Sequence, residues 1–190
     1  MDQKDQHILD DIVKKCVKGD RIAQQELYKC FYSTMMGVCY RYSNNAEDAK
    51  DLLQDGFVKV FNNLKKYNFN GSLEGWIRRI MVNTAIDHFR KNKNVFMIND
   101  EDGYVLENSK VESANTIYSQ FGVEDIMEAI QSLSPAYKAV FNLNVIEGFP
   151  HKDIAEKLNI SEGTSKSNLA KAKMKLRTLL EQKETNYTHE

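Results

Sequence analysis

Between Thr164 and Leu180 the chain carries Lys166, Lys171, Lys173, Lys175 and Arg177 and no acid, although its 190 residues hold 26 Lys+Arg against 27 Asp+Glu. Cations gathered in one segment of a near-neutral protein suit phosphate binding, which depends on salt because bound counterions are released. On a helix, Leu169, Ala172, Leu176, Leu179 and Leu180 form one apolar stripe, and Lys166, Ser167, Ala170 and Lys171 fall outside it near the helix start. Upstream, Ile154, Ala155, Leu158 and Ile160 face inward, a turn follows at Asn159-Ile160-Ser161, and Ser161 stands where it caps the next helix. This is the spacing of a helix-turn-helix, whose second helix enters the DNA major groove. A solvated basic face on a packing helix is the plainer reading of the same lysines.

A second strip mixes an aromatic, two guanidinium groups and an amide: Trp76, Arg79, Asn83, Asp87 and Arg90 share one helical face. Arg meets phosphate, Asn reads base edges and Trp stacks on an unpaired base, so the mixture suits nucleic acid. Trp76 as a core aromatic among ordinary surface arginines is the alternative. A third group is acidic. Glu47, Asp48, Asp51 and Asp55 crowd the first turns of another helix, with Leu52 and Gln54 among them. Acids there favour the helix dipole. They also repel phosphates, so any function of this face points to protein binding.

Metal and bond-making chemistry find no support. The four histidines (His7, His88, His151, His189) are scattered, no HExxH is present, and Cys16, Cys30 and Cys39 form no CxxC. The cysteines are expected to be reduced, and no cofactor, metal site or catalytic residue is expected.

The elements that position these groups are helices. Nine Gly and two Pro are few for 190 residues, and scarce breakers favour long helices over strands. Pro135 and Pro150 each stand where a helix would begin. Helices are expected over Asp10–Val17 (ending at Gly19), from an Asp20 cap through Leu27, Phe31, Met35, Val38 and Tyr42, and from an Asn45/Asp48 capping box through Leu53, Phe57, Val60, Phe61 and Leu64. Tyr67 to Gly71 breaks the pattern, and Ser72 caps a fourth helix reaching about Lys91. Further helices are expected over Val123–Leu133, Pro135–Glu147, Pro150–Leu158 and from Glu162 to about Gln182.

From Asn94 to Gly122 the chain loses helical period and carries Asp100, Glu101, Asp102, Glu107 and Glu112 against Lys110 alone. It reads as an acidic, flexible linker, too long for a loop within one compact domain. The expected organisation is all-α: a helical domain over 1–93, a linker over 94–122 and a helix-turn-helix domain with a short polar tail over 123–190. No apolar run approaches the ~18–20 residues that span a bilayer. Met1 to Gln6 lacks a secretory signal's basic start and apolar stretch, so a soluble, intracellular protein without membrane insertion is expected.

In this order the motifs resemble a bacterial RNA polymerase sigma factor of the extracytoplasmic-function group, in the sigma-70 superfamily. Ala46-Glu47-Asp48-Ala49-Lys50-Asp51-Leu52-Leu53-Gln54-Asp55-Gly56-Phe57 is similar to the family's AEDLVQDVF-like stretch. Gly75-Trp76-Ile77-Arg78-Arg79-Ile80-Met81-Val82-Asn83-Thr84-Ala85-Ile86-Asp87 resembles its W-L-x-R-I-A-x-N-x-x-x-D segment. Leu133-Ser134-Pro135 and Gly148 to Ala155 look like the start of its −35-binding domain.

The resemblance implies that Asp48, Asp51, Leu52, Gln54 and Asp55 bind the β′ clamp helices of polymerase core. It implies that Asn68, Phe69 and Asn70, with Trp76, Arg79, Asn83, Asp87 and Arg90, recognise and open the −10 element. Thr164, Lys166, Ser167, Ala170, Lys171 and Lys173 would read the −35 element. Promoter DNA and polymerase core, including the β flap, are the implied partners, an anti-sigma factor is a further one, and the protein would work in the cytoplasm, at the nucleoid when in holoenzyme. The acidic linker would thread a basic polymerase channel.

Two positions depart from the family pattern. Ser165 and Asn168 stand where relatives usually carry Val and Arg, in the string Thr164-Ser165-Lys166-Ser167-Asn168. Ser165 leans toward the apolar stripe, so its hydroxyl is expected to need a backbone partner. Asn in place of Arg is expected to remove one phosphate or guanine contact. Rival readings are a stand-alone helix-turn-helix regulator acting without polymerase, and a helical adaptor with no DNA role.

Overall fold

The computed structural model describes residues 3–91 and 122–187, and their regular structure is entirely helical. The chain divides into two compact units, Met1–His88 and Phe89–Glu190. The segment read as an acidic linker lies, apart from Gly122, outside the described residues.

Four helices build the first part: α1 (Gln3–Val17), α2 (Arg21–Tyr42), α3 (Ala46–Asn63) and α4 (Leu73–Lys91). Each start is a local side-chain event. Asp20 caps α2 by accepting the amides of Ile22 (2.9 Å) and Ala23 (3.1 Å). Asn45 caps α3 through the amide of Asp48 (2.8 Å), and its own side-chain amide donates to the Asp48 carboxylate. Ser72 accepts the Gly75 amide at the head of α4. Such caps satisfy amides that would otherwise lack partners, each contributing about 1 kcal/mol.

The buried positions follow the expected period. Leu27, Phe31, Met35 and Val38 of α2 meet Leu53, Phe57 and Val60 of α3, with Val13 and Cys16 of α1 and Ile77 and Met81 of α4 closing the core. Gly56, mid-helix in α3, lies against the Met81 side chain of α4, whose sulfur and methyl would have to shift to admit a Cβ there. A helical Gly costs about 1 kcal/mol relative to Ala, and here it leaves room for the buried Met81 side chain between α3 and α4. Helix α1 begins earlier than Asp10, at Gln3, and takes in Ile8 and Leu9.

The second part comprises α5 (Val123–Gln131), α6 (Pro135–Phe141), α7 (His151–Leu158) and α8 (Glu162–Tyr187). Pro135 opens α6, as expected, whereas Pro150 is the cap residue before α7. The helix expected over Pro135–Glu147 is interrupted. After Phe141 it widens into a π-helical turn, Asn142–Ile146, in which the Glu147 amide reaches the Asn142 carbonyl at 2.9 Å. Asn142 and Leu143 in this turn are buried, continuing the buried run that begins at Tyr137 in α6. Gly148 (φ 75°) then ends the segment.

The turn of the helix-turn-helix closes by backbone geometry. Asn159 adopts a left-handed conformation (φ 53°), and the Ile160 amide returns to the Ala155 carbonyl at 3.0 Å, while that of Asn159 reaches Glu156 at 3.3 Å. This is a Schellman closure, for which Asn is second only to Gly. Ser161 then caps α8 through the Thr164 amide (2.9 Å). Lys183 of α8 donates to Asp125 (2.9 Å) and Glu128 (2.6 Å) of α5, and those hydrogen bonds hold its ammonium above the usual lysine range.

Candidate nucleic-acid and polymerase interfaces

The loop before α4 is organised around one buried ring. Tyr67 donates its hydroxyl to the Gly71 carbonyl at 2.9 Å, while Phe69 and Trp76 pack against it with ring centroids 5.1 and 5.6 Å away. Asn68 accepts the Asn70 amide at 3.2 Å, and Gly71 takes the positive φ (90°) that ends the loop. Phe69 is held at φ 60°, unusual for a non-glycine residue, and its side chain is 43% exposed. Trp76 is half-buried, so it belongs to the core edge and to the surface at once.

Along α4, Arg79, Asn83 and Arg90 are exposed, and Ile77, Met81, Thr84 and Ala85 are buried. Val82 and Ile86 are buried too, so the polar strip is narrower than a two-faced wheel suggests. Asp87 is engaged rather than free, for Lys59 of α3 donates to it at 2.9 Å. The pair leaves the strip cationic, because a bare carboxylate would repel phosphate.

The acidic face of α3 is only partly as expected. Glu47, Asp48, Asp51 and Gln54 are exposed, while Asp55 lies 2.9 Å from the His88 imidazole of α4. Leu52, expected among the polymerase-binding residues, is 3% exposed and packs in the core of the unit. It sits where the apolar arc meets the acidic one, and packing decides such edges. Val58, 54% exposed and one turn beyond Gln54, is an apolar side chain on the acidic stripe that the sequence reading leaves out. Its apolar side chain on a charged face was the available signal.

On α8, Thr164 and Lys166 are exposed, and Ser167, Ala170, Lys171 and Lys173 are half-buried. Lys166 pairs with Glu162 (2.8 Å), whose carboxyl it holds below the usual range by hydrogen bond and charge. The ammonium of Lys171 lies 5.8 Å from the Tyr137 ring. Both departures from the family pattern point inward. Ser165 is fully buried, but its partner is the His151 side chain (2.9 Å) rather than the backbone. Asn168, expected to withhold a DNA contact, is 7% exposed, so its side chain packs inside the unit.

No metal-holding group of three or more His, Cys, Asp or Glu forms among the described residues, and no described helix is long and apolar enough to cross a membrane. The cysteines are free thiols, Cys16 and Cys39 buried and Cys30 exposed.

Residues 27–95 match the model of sigma-70 region 2, and residues 124–176 match that of sigma-70 region 4. The chain is 30% identical over 167 residues to the ECF RNA polymerase sigma factor SigE of Mycolicibacterium smegmatis, covering 85% of this chain and 64% of that one. It is 27% identical over 185 residues to SigW of Bacillus subtilis, covering 88% and 94%. The sigma factor RpoE of Bartonella quintana, solved with the anti-sigma factor NepR, superposes with a TM-score of 0.48 at 23% identity, over 83% of this chain and 96% of that one. The chain belongs to the sigma-70 family, in its extracytoplasmic-function group. It is an initiation factor that binds RNA polymerase and directs it to promoters, and not an enzyme. A stand-alone regulator leaves the region 2 match without a role.

Proposed function

We propose that the first unit docks on the β′ clamp helices and holds one strand of the −10 element, while the second docks on the β flap and reads −35 duplex. The clamp-facing residues are Asp48, Asp51, Gln54 and Asp55, with Val58 beside them and Leu52 supporting from the core. The −10 residues are Asn68, Phe69, Asn70, Trp76, Arg79, Asn83 and Arg90, with Asp87 acting through its pair with Lys59. On α8, Thr164, Lys166, Ser167, Ala170, Lys171 and Lys173 face the −35 groove. The domain limits 1–93 and 123–190 belong to the same reading, as does the threading of the acidic segment 94–122 through a basic polymerase channel. An anti-sigma partner and association with the nucleoid extend it on family resemblance alone.

The observation that carries the proposal is the loop aromatic. Phe69 is exposed, braced by buried Tyr67 and followed by exposed Arg79 and Asn83 on α4. Base stacking on such a ring contributes about 1–3 kcal/mol, and every base offers a face to stack. Each unit is a small surface whose grip falls with salt. Docking both on one enzyme raises their effective concentration on a single promoter without new contacts.

Holoenzyme carrying Phe69→Ala tests this on a single-stranded −10 oligonucleotide. Retention is expected to fall roughly tenfold, in line with one lost stacking contact, at unchanged affinity for core polymerase. Unchanged retention would remove the loop from the −10 site.

A further inference from the structure

The recognition helix carries a polar group where packing alone would favour a hydrocarbon. Ser165 lies one turn into α8 with 0% exposure, among Leu169, Ala172 and Leu176 of the same buried stripe. A buried hydroxyl without a partner is destabilising, so the site must supply one. Its amide is already spent on the Ser161 carbonyl at 3.0 Å. The side chain instead meets Nδ1 of His151, the first residue of α7, at 2.9 Å. Either the hydroxyl or the ring N–H donates, according to the imidazole tautomer.

The placement gives this bond leverage. Helices α7 and α8 are joined at one end by the Asn159–Ser161 turn, and they bury the apolar side chains of Ile154, Leu158 and Leu169. Apolar packing is non-directional and tolerates small rotations. The His151–Ser165 bond is directional, and it ties the far end of α7 to the first turn of α8, next to Thr164 and Lys166. A groove-reading helix needs its first turn held at a fixed angle.

We infer that His151 and Ser165 are positioning residues, a polar brace that sets the angle at which α8 meets the −35 element. The inference rests on the proposed reading of α8 as the −35 helix, and it adds two residues that need not touch DNA.

The test uses the full chain assembled with core polymerase, on two templates differing only in the −35 segment. Wild type is expected to favour the intact template. Ser165→Ala and His151→Gln should reduce that preference by roughly three- to tenfold, the effect of losing one buried hydrogen bond. His151→Asn should stay within about twofold of wild type, because its side-chain amide places a polar atom where Nδ1 stands. Gln is nearer to His in volume than Asn, so a purely packing role predicts the opposite order. Equal Gln and Asn variants beside a −35-dependent wild type would overturn the brace alone.

In the free chain, Ser165→Ala should also shift the 15N resonance of His151 Nδ1. An unmoved resonance would overturn the brace even where a variant fails to assemble. A wild type indifferent to the −35 segment would instead overturn the assignment of α8 as the −35 reader, and the brace's role with it.

Discussion

Lys59 of α3 donates a 2.9 Å hydrogen bond to the carboxylate of Asp87 on α4, across 28 positions of sequence. The pair joins the helix proposed to face polymerase to the helix proposed to face the −10 strand. Both side chains are partly open to water, so it contributes little to stability, on the order of 0–1 kcal/mol. Its larger effect is local, cancelling a negative charge inside a cationic strip.

Lys59→Ala should therefore weaken −10 strand binding by a few-fold and shift thermal unfolding only slightly. Adding Asp87→Ala should restore part of the loss, since the unpaired carboxylate is then gone. The check is a double-mutant cycle on single-stranded −10 DNA with reconstituted holoenzyme. Additive losses would show that the two residues act separately.

Leu52 is buried and Val58 exposed on one helix, so the two positions can separate folding from the proposed docking. Leu52→Ala should cost about 2–5 kcal/mol of stability, as for other large-to-small core changes. Val58→Asp should leave the melting curve near wild type and reduce core-polymerase affinity severalfold, through lost apolar contact and added charge. Paired measurements of melting and of core binding give the answer. A melting loss in both variants would place Val58 in the core as well.

The buried thiols carry a pH signature. Burial pushes Cys39 from an ordinary 9.0 to about 12, and burial followed by the negative charge of Asp20 pushes Cys16 to about 11. A thiol is charged only after losing its proton, so the unfolded chain gives up these protons first. Their contribution to stability is complete below about pH 9 and is lost as pH rises toward 11–12. Urea melts across that range should show a steeper alkaline decline in wild type than in Cys39→Ala. At pH 8 a thiol reagent should modify Cys30 in the native protein and all three cysteines after unfolding.

Much of the architecture was legible because it is local. Asp20, Asn45, Ser72 and Ser161 cap helices within three residues of themselves, and spacing alone shows such events. The apolar periods of α2 and α8 and the Asn159–Ser161 turn were readable for the same reason. What escaped lies elsewhere. Lys59 with Asp87, Asp55 with His88 and His151 with Ser165 are brought together by tertiary packing, and no short-range pattern marks them. Leu52 falls at the border of two arcs on one wheel, where packing and not spacing decides which side is buried. The π-helical turn at Asn142–Ile146 changes the period itself, so a fixed 3.6-residue template passes over it.

The central claim is that neither unit selects a promoter unaided, and that polymerase core must hold both. Mapping of 5′ transcript ends from a promoter library, with purified core in the presence and absence of this chain, tests it directly. Discrete start sites should arise only when both are present, and the free chain should show weak, salt-sensitive DNA binding. Transcripts without fixed starts, or tight sequence-specific binding by the chain without core, would contradict the account.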